Sequence, residues 1–151
     1  MIKRIISLLI LWCMFTSHAR SQIIFQVNAG SRAPYGSNQN LLIDAKGHCS
    51  YNVTDVNGPV SNAASFTITV SQLDALLAKA EELGFFKLKD KYDGGFADGA
   101  GIFIAMRSSG KKHSVQLLNT DVPAINQLVN YLNSNILDSH HIRIYYGQTP
   151  K

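Results

Sequence analysis

Two stretches of the chain carry apolar side chains at the three- and four-residue spacing of an amphipathic helix. The apolar positions of the first stretch are Leu73, Leu76, Leu77, Ala80 and Leu83. Ser71 and Asp74 have the spacing of a capping box, and Gly84 stands where a left-handed residue often ends a helix. The pattern therefore predicts a helix that starts at Ser71, stops before Gly84 and buries its leucine stripe against a sheet.

The second stretch predicts a helix that begins near Asp121, with Pro123 in its first turn, where proline removes no helical hydrogen bond. Its apolar stripe comprises Ile125, Leu128, Val129, Leu132 and Ile136. Its other face comprises Asn126, Gln127, Asn130, Asn133 and Ser134, and carries no charge. Each predicted helix thus has one apolar and one polar side.

Alternation of apolar and polar residues around the helices predicts short strands. The segments are residues 23–28, 41–43, 48–53, 66–70, 102–107 and 113–117, with a last strand in the tail at 142–146. Gly47 is expected in the turn of the first hairpin, and residues 108–111 form that of the second. Residues 29–40, 55–65 and 87–101 are rich in turn-forming residues and predict connections.

This order predicts an α+β fold, in which two amphipathic helices pack on one face of an antiparallel sheet. Each hairpin leads into a helix, so the chain is also compatible with two ββα units. A ββα–ββα duplication stays open, because the residue identities barely repeat.

The first 21 residues have the pattern of a secretory signal peptide, which leaves a single α+β domain at residues 22–151. Lys3 and Arg4 provide a positive start, and residues 5–15 are almost entirely apolar. This apolar run is shorter than the roughly 20 residues that a transmembrane helix needs. Cleavage is expected after Ala19 or after Ser21, and the mature protein is expected in the periplasm or outside the cell.

Removal of the signal peptide changes both the charge and the cysteine content. The full chain has 14 basic and 10 acidic residues, and three of the basic ones fall within residues 1–21. The mature net charge of about +1 gives no reason to expect nucleic acid or an anionic membrane as a partner. Cys49 is then the only cysteine, which excludes an intrachain disulfide. Trp12 before Cys13 has the wrong size for lipoprotein processing, so we expect no lipid anchor.

Several features together resemble certain small exported bacterial domains of unknown function. They are the signal peptide, the glycine-turn hairpin at residues 43–51, Phe85-Phe86, Tyr92, Asp98 and the second hairpin at residues 102–117. Those domains often carry a cysteine pair before the first hairpin, where this chain has Ala33-Pro34-Tyr35. The resemblance implies export and an α+β fold, and it implies no activity.

One candidate site is the acidic connection that contains Asp90, Asp93 and Asp98. Carboxylates on a flexible glycine-rich loop can gather around calcium. Their spacing is not that of an EF-hand, and the alternative is a solvated connection with glycine turns. We expect no cofactor here, with calcium or zinc as the alternative.

A second candidate site depends on how the two hairpins are arranged. His48 and His113 would approach each other in neighbouring hairpins, and Asp98 would then complete an acid–base or zinc cluster. His48 and Cys49 are adjacent on a strand, so their side chains are expected on opposite faces. The alternative is that both histidines lie on hairpins and take part in no chemistry.

A third candidate is the surface of the tail. If residues 142–146 form an edge strand, His141, Arg143 and Tyr145 line one face of it. Such an edge can add a strand from a protein or peptide partner. The alternative is an ordinary last strand that completes the sheet.

No phosphate-binding loop, dinucleotide fingerprint, nucleophile elbow or Cys-x-x-Cys motif occurs in the sequence. The leading expectation is therefore an exported, non-enzymatic binding or protein-interaction module of the cell envelope. The alternative is a small metal-dependent or acid–base hydrolase that uses Asp98, His48 and His113. The sequence identifies neither the partner nor the oligomeric state.

Overall fold

The computed structural model describes residues 22–31, 36–55, 58–95 and 99–146. The predicted signal peptide with Cys13, the Ala33-Pro34-Tyr35 segment and Asp98 lie outside these ranges. The strands are β1 (Ile23–Ser31), β2 (Ser37–Asp44), β3 (His48–Asp55), β4 (Val60–Thr67), β5 (Lys91–Asp93), β6 (Ala100–Ser108) and β7 (Lys111–Leu118). The helices are α1 (Val70–Glu82) and α2 (Pro123–Leu132), and a π-helical turn (Asn133–Leu137) extends α2.

The described strands form a single seven-stranded sheet in the order β4-β3-β2-β1-β6-β7-β5. β1 lies near the middle and pairs with β2 on one side and β6 on the other. All pairings are antiparallel except that of β5 with β7. This confirms an α+β fold with a mostly antiparallel sheet and two helices. Within the described residues, no helix is long and apolar enough to span a membrane.

Strand positions alternate between buried and partly exposed, as the period of two predicts. The fully buried strand residues include Phe25, Val27, Leu41, Ile43, Ile104 and Val115. They belong to the same hydrophobic core cluster as Leu76 of α1 and Leu128 of α2. Leu76 is 0% and Leu128 is 1% exposed, which confirms that both predicted apolar stripes are buried.

α1 begins one residue earlier than Ser71, so the predicted N-cap was wrong. Thr69 is the N-cap, and its hydroxyl accepts a hydrogen bond from the Gln72 backbone N–H at 3.1 Å. The Gln72 side chain accepts in return from the Thr69 N–H at 2.9 Å, which completes a capping box. The pattern Thr-x-x-Gln therefore outcompetes Ser-x-x-Asp two residues later. Gly84 has the predicted left-handed conformation, with φ of 72°.

All three predicted connections contain strand residues instead. β1 runs to Ser31 and β2 starts at Ser37, although residues 29–40 were predicted as a loop. β4 occupies most of the predicted connection at residues 55–65, and β5 lies within the predicted connection at 87–101. Glycine, serine and asparagine disfavour strands in isolation, but β1 is hydrogen-bonded on both sides, and this pairing overrides local preference.

The tail at residues 142–146 is not a strand, contrary to the prediction. Hydrogen bonds to two side-chain amides fix its position, and it has no backbone pairing with any of the described strands. Asn133 donates from Nδ2 to the Ile144 carbonyl at 3.0 Å and accepts from the Ile144 N–H at 2.9 Å. Gln39 donates to the Arg143 carbonyl at 2.8 Å and accepts from the Tyr145 N–H at 2.9 Å. Asn133, placed on the polar face of α2 by the sequence, is consequently only 5% exposed.

Candidate functional site

The partly exposed face of the sheet carries a line of uncharged polar side chains across its centre. The backbone register pairs Asn52 with Asn40, Asn40 with Asn28, Asn28 with Phe103, and Phe103 with Gln116. We name this line of five residues the amide row. Paired residues on adjacent strands project to the same face, so their side chains lie about 5 Å apart.

A cavity of about 350 Å³ opens beside the amide row. Gly30 and Gly101 are paired in its floor, where the missing side chains leave room for those of neighbouring residues. The Asn38 side chain lies over Gly30, because a Cβ built on Gly30 would come within 2.1 Å of Asn38 Oδ1. Leu118 lies at the other side of the floor, close to Gly101. The residues that line the cavity carry no charge.

Asn40, in the middle of the amide row, has an unmet hydrogen-bonding requirement. Its Oδ1 atom is buried and has no hydrogen-bond partner among the described residues. A buried acceptor without a donor is unfavourable, and such groups in native proteins often mark a ligand or water site. Asn40 also lines the cavity, so a rotation of its carboxamide would bring this acceptor to the cavity wall.

His48 forms a pair with Asp44 across the turn of the β2–β3 hairpin. The ring Nδ1 of His48 lies 3.0 Å from Asp44 Oδ2, and the backbone N–H groups of Lys46 and His48 donate to Asp44 Oδ1 at 2.8 and 2.9 Å. Asp44 is 7% exposed, whereas the His48 side chain is 61% exposed. A second cavity of about 420 Å³ adjoins this pair, and its lining includes Ser50, Ser65 and Thr67. The bonds from both backbone N–H groups indicate that Asp44 stabilises the turn.

The structure does not bring His48 and His113 together. β3 and β7 are separated by three strands, which at the usual strand spacing is about 19 Å. His113 is paired with the buried Met106 and therefore lies on the core side, while His48 precedes the buried Cys49 and lies on the other face. The two predicted acid–base residues thus face away from each other. Asp98, the third, lies outside the described residues.

His113 instead borders an aromatic cluster. Its ring meets Phe85 edge-on at a centroid distance of 5.5 Å, and its Nδ1 atom lies 3.7 Å from Asp90 Oδ1. The Nε2 atom is buried and has no hydrogen-bond partner among the described residues. The Asp90 side chain is 88% exposed, so this contact is weak.

The two described carboxylates of the acidic connection have separate partners. Asp90 faces His113, while Asp93 contacts Lys91 at 3.0 Å and accepts from the Gly95 N–H at 3.0 Å. Across the described ranges there is no group of three or more His, Cys, Asp or Glu side chains that would hold a metal ion.

The predicted surface of the tail is exposed but is not a strand edge. Tyr145 is 46% exposed, and Arg143 contacts Asp138 at 3.3 Å. His141 has a left-handed backbone, with φ of 57°, directly after a 3₁₀ turn at Asp138–His140. The tail contacts Gln39, which is paired with the buried Ala29, so it lies on the core side of the sheet and not on the side of the amide row.

Cys49 is buried in the core and does not serve as an accessible nucleophile. Burial raises the pKa of the Cys49 thiol to about 12, against a lowering contribution from the Ile68 backbone, and the negative charge of Asp44 raises it further. A thiol with such a pKa is protonated at neutral pH and reacts poorly.

The sequence prediction missed all five residues of the amide row. A signal was nevertheless present, because polar residues of β1, β2 and β3 alternate with apolar ones. The alternating polar positions are Gln26, Asn28, Asn38, Asn40, Ser50, Asn52 and Thr54. These positions of β1, β2 and β3 are uncharged, whereas a solvent-facing sheet surface usually carries charged residues, such as Arg107 and Lys112 further along the same face.

No protein-family model matches the chain, and no curated protein matches it in sequence. The site therefore has to be interpreted from its own chemistry.

Proposed function

We propose that the chain is an exported, non-enzymatic binding module of the cell envelope and that it binds through the amide row. The single observation that carries this proposal is an uncharged cavity lined by Asn28, Asn40 and Asn52, with the unpartnered Oδ1 of Asn40 buried beside it. Pockets of about 300–1,000 Å³ that carry a few fixed polar groups are typical of ligand sites. The volume of about 350 Å³ fits the lower end of that range.

Export is the part of this proposal that rests on the N-terminal sequence. Residues 1–21 have the charge, apolar run and small residues of a signal peptide. Mass spectrometry of the mature protein from its host cell should find a chain that begins after Ala19 or after Ser21. A chain that keeps its first residues, or a lipid on Cys13, would contradict this part.

Binding is tested by co-sedimentation with washed envelopes of the host cell. Purified residues 22–151 should sediment with the envelopes, and Asn40→Ala should remain in the supernatant. Asn62→Ala is the matched control, because Asn62 is an exposed asparagine on β4 that is paired with Val53 and lies off the amide row. Sedimentation that is equal for Asn40→Ala and Asn62→Ala would exclude the amide row as the binding surface.

A protein or peptide partner at the tail remains the alternative binding mode. Tyr145 and Arg143 are exposed there, and both aromatic and arginine side chains are common in interfaces. Tyr145→Ser would abolish envelope binding if the tail were the contact, and would leave it unchanged if the amide row is. The two surfaces lie on different sides of the sheet, so the variants separate them.

A second candidate function is acid–base hydrolysis, which one observation favours. Asp44 holds the Nδ1 side of His48, and hydroxyl groups of Ser65 and Thr67 border the adjoining cavity. An Asp-oriented histidine with a nearby hydroxyl is the core of a hydrolase triad. His48→Gln would abolish hydrolysis of chromogenic esters if this candidate is right. Equal background rates for wild type and His48→Gln would exclude it.

We also infer that both helices cover the same face of the sheet. The buried residues of α1 and α2 share one core cluster with one set of strand positions, which supports packing on one face. The order of the elements does not support two ββα units, because β4 lies between the β2–β3 hairpin and α1.

A further inference from the structure

The chemistry of the amide row narrows the class of ligand. The cavity lining has no charged side chain, so it offers neither cations for phosphate or nucleic acid nor carboxylates for a metal ion. Its few apolar members, among them Phe103 and Leu118, are interspersed with amides, which does not suit a lipid chain. The complementary ligand is therefore neutral and rich in hydrogen-bonding groups.

Geometry argues against an extended peptide and a second copy of this chain. Peptides join sheets at strand edges, where backbone N–H and C=O groups are free, whereas β1, β2, β3 and β6 are each paired on both sides. The centres of stable protein interfaces are rich in aromatic and apolar residues, but the amide row has one aromatic residue among four amides.

Neutral carbohydrate meets the remaining requirements. Each hydroxyl group both donates and accepts a hydrogen bond, and each carboxamide places a donor beside an acceptor. Asn52, Asn40 and Asn28 repeat that arrangement at the strand spacing of about 4.8 Å, so they can meet hydroxyl groups on alternate ring carbons or on neighbouring rings. Once the Asn40 carboxamide rotates toward the cavity, a hydroxyl group can donate to its unpartnered Oδ1, and the apolar C–H face of a sugar ring can stack on Phe103.

We propose that the amide row is a binding site for a neutral saccharide, with Asn40 Oδ1 accepting a sugar hydroxyl and Phe103 stacking against the ring. This inference rests on the proposed function, since it names the ligand class of the same surface.

The test is an NMR titration of ¹⁵N-labelled residues 22–151. The probes are neutral oligosaccharides of glucose, galactose and N-acetylglucosamine, each added to about 10 mM, the weak end of specific binding. An uncharged extended peptide and a dilution series of the protein alone are run in parallel. At least one oligosaccharide should shift the side-chain amide signals of Asn28, Asn40 and Asn52, while the signal of Asn62 stays in place.

Variants then test the assigned roles. Asn40→Ala should weaken saccharide binding about 10-fold, since it removes one hydrogen bond to the ligand. Phe103→Leu keeps apolar bulk but removes the aromatic face, and should weaken binding several-fold. Asn62→Ala should bind like wild type. Each variant is first compared with wild type by thermal melting, so that loss of fold is not mistaken for loss of binding.

The outcomes distinguish this inference from the proposed function. If the peptide or self-association shifts the NMR signals of the amide row and no saccharide does, the proposal of a saccharide ligand is overturned. The amide row then remains a binding surface. If saccharides shift only the signals of residues elsewhere, or shift no signal of the amide row, the saccharide inference is overturned. Envelope sedimentation that still depends on Asn40 would then show that the binding module has a ligand of another class.

Discussion

The amide of Asn133 provides the sharpest test of how the tail is held. It is 5% exposed and makes two hydrogen bonds to the backbone of Ile144, which is itself 1% exposed. Asn133→Ala removes both partners and leaves a buried N–H and a buried C=O unsatisfied. Each such group costs about 1–3 kcal/mol, so we expect a loss of about 3 kcal/mol in the free energy of unfolding. For a domain of this size that corresponds to a fall in Tm of about 10 °C.

The assay is guanidinium unfolding of residues 22–151, followed by circular dichroism. Asn130→Ala is the matched control, because Asn130 is an exposed asparagine of the same helix and its replacement should change stability by about 0.5 kcal/mol or less. A loss for Asn133→Ala no larger than that for Asn130→Ala would refute the role of the amide.

Asn133→Asp adds a pH-dependent check on the same reasoning. A protonated aspartic acid can donate to the Ile144 carbonyl and accept from its N–H, whereas the carboxylate can only accept. The stability deficit of this variant relative to wild type should therefore be smaller at pH 4 than at pH 7. A deficit that is independent of pH would contradict the two-point contact.

Further predictions concern the core and its titrating groups. Leu76→Ala should cost about 2–5 kcal/mol, and Leu76→Asp should abolish the cooperative unfolding transition, because Leu76 is 0% exposed. Native Cys49 should react with a thiol reagent at pH 8 only at the rate of unfolding, and rapid labelling would contradict its burial. Burial raises the pKa of the Cys49 thiol to about 12, and that of Tyr51 and Tyr146 above the usual value, so the unfolded chain releases these protons first. Stability should therefore be constant below about pH 9 and should fall above it by up to about 1.4 kcal/mol per pH unit for each group. A free energy of unfolding that rises between pH 9 and 11 would refute the predicted direction of this pH dependence.

Elements with a strong period and a well-defined end were predictable from sequence. The leucine stripe of α1 and the turn glycine Gly47, with φ of 81°, follow directly from local residue patterns. The hairpin between β6 and β7 likewise turns at Ser109 and Gly110, both with positive φ. In each case the local preference and the tertiary structure favour the same conformation, so the sequence alone suffices.

The elements that sequence missed depend on partners that are distant in the chain. β5 has three residues and exists through its pairing with β7, about 25 residues later. The tail resembles a strand in its alternation of Ile142 and Ile144, yet its backbone bonds go to the side chains of Gln39 and Asn133. No local pattern predicts such contacts, because the sequence does not distinguish a helical asparagine that faces water from one that is hydrogen-bonded to a distant backbone segment.

The candidate site was missed for a related reason. The asparagines of β1, β2 and β3 resemble loop residues in composition, and only the strand register places Asn28, Asn40 and Asn52 in one row. The predicted histidine pair shows the opposite error, in which residues that suit each other chemically are far apart in the fold. His48 and His113 were plausible partners by residue type, but the order of the strands puts β3 and β7 far apart.

Asn133 and Asn40 show how a structural amide is distinguished from a binding one. The sequence patterns predict a loop position for Asn40 and a solvent-facing helix position for Asn133, and so give neither amide a special role. Asn133 has its donor and its acceptor matched by the backbone of its own chain, so its burial is fully compensated. Asn40 carries a buried acceptor that no described residue matches. Desolvation without compensation is disfavoured in folding alone and is relieved when a donor arrives from outside. The unmatched amide is thus the one on which the proposed ligand binding rests.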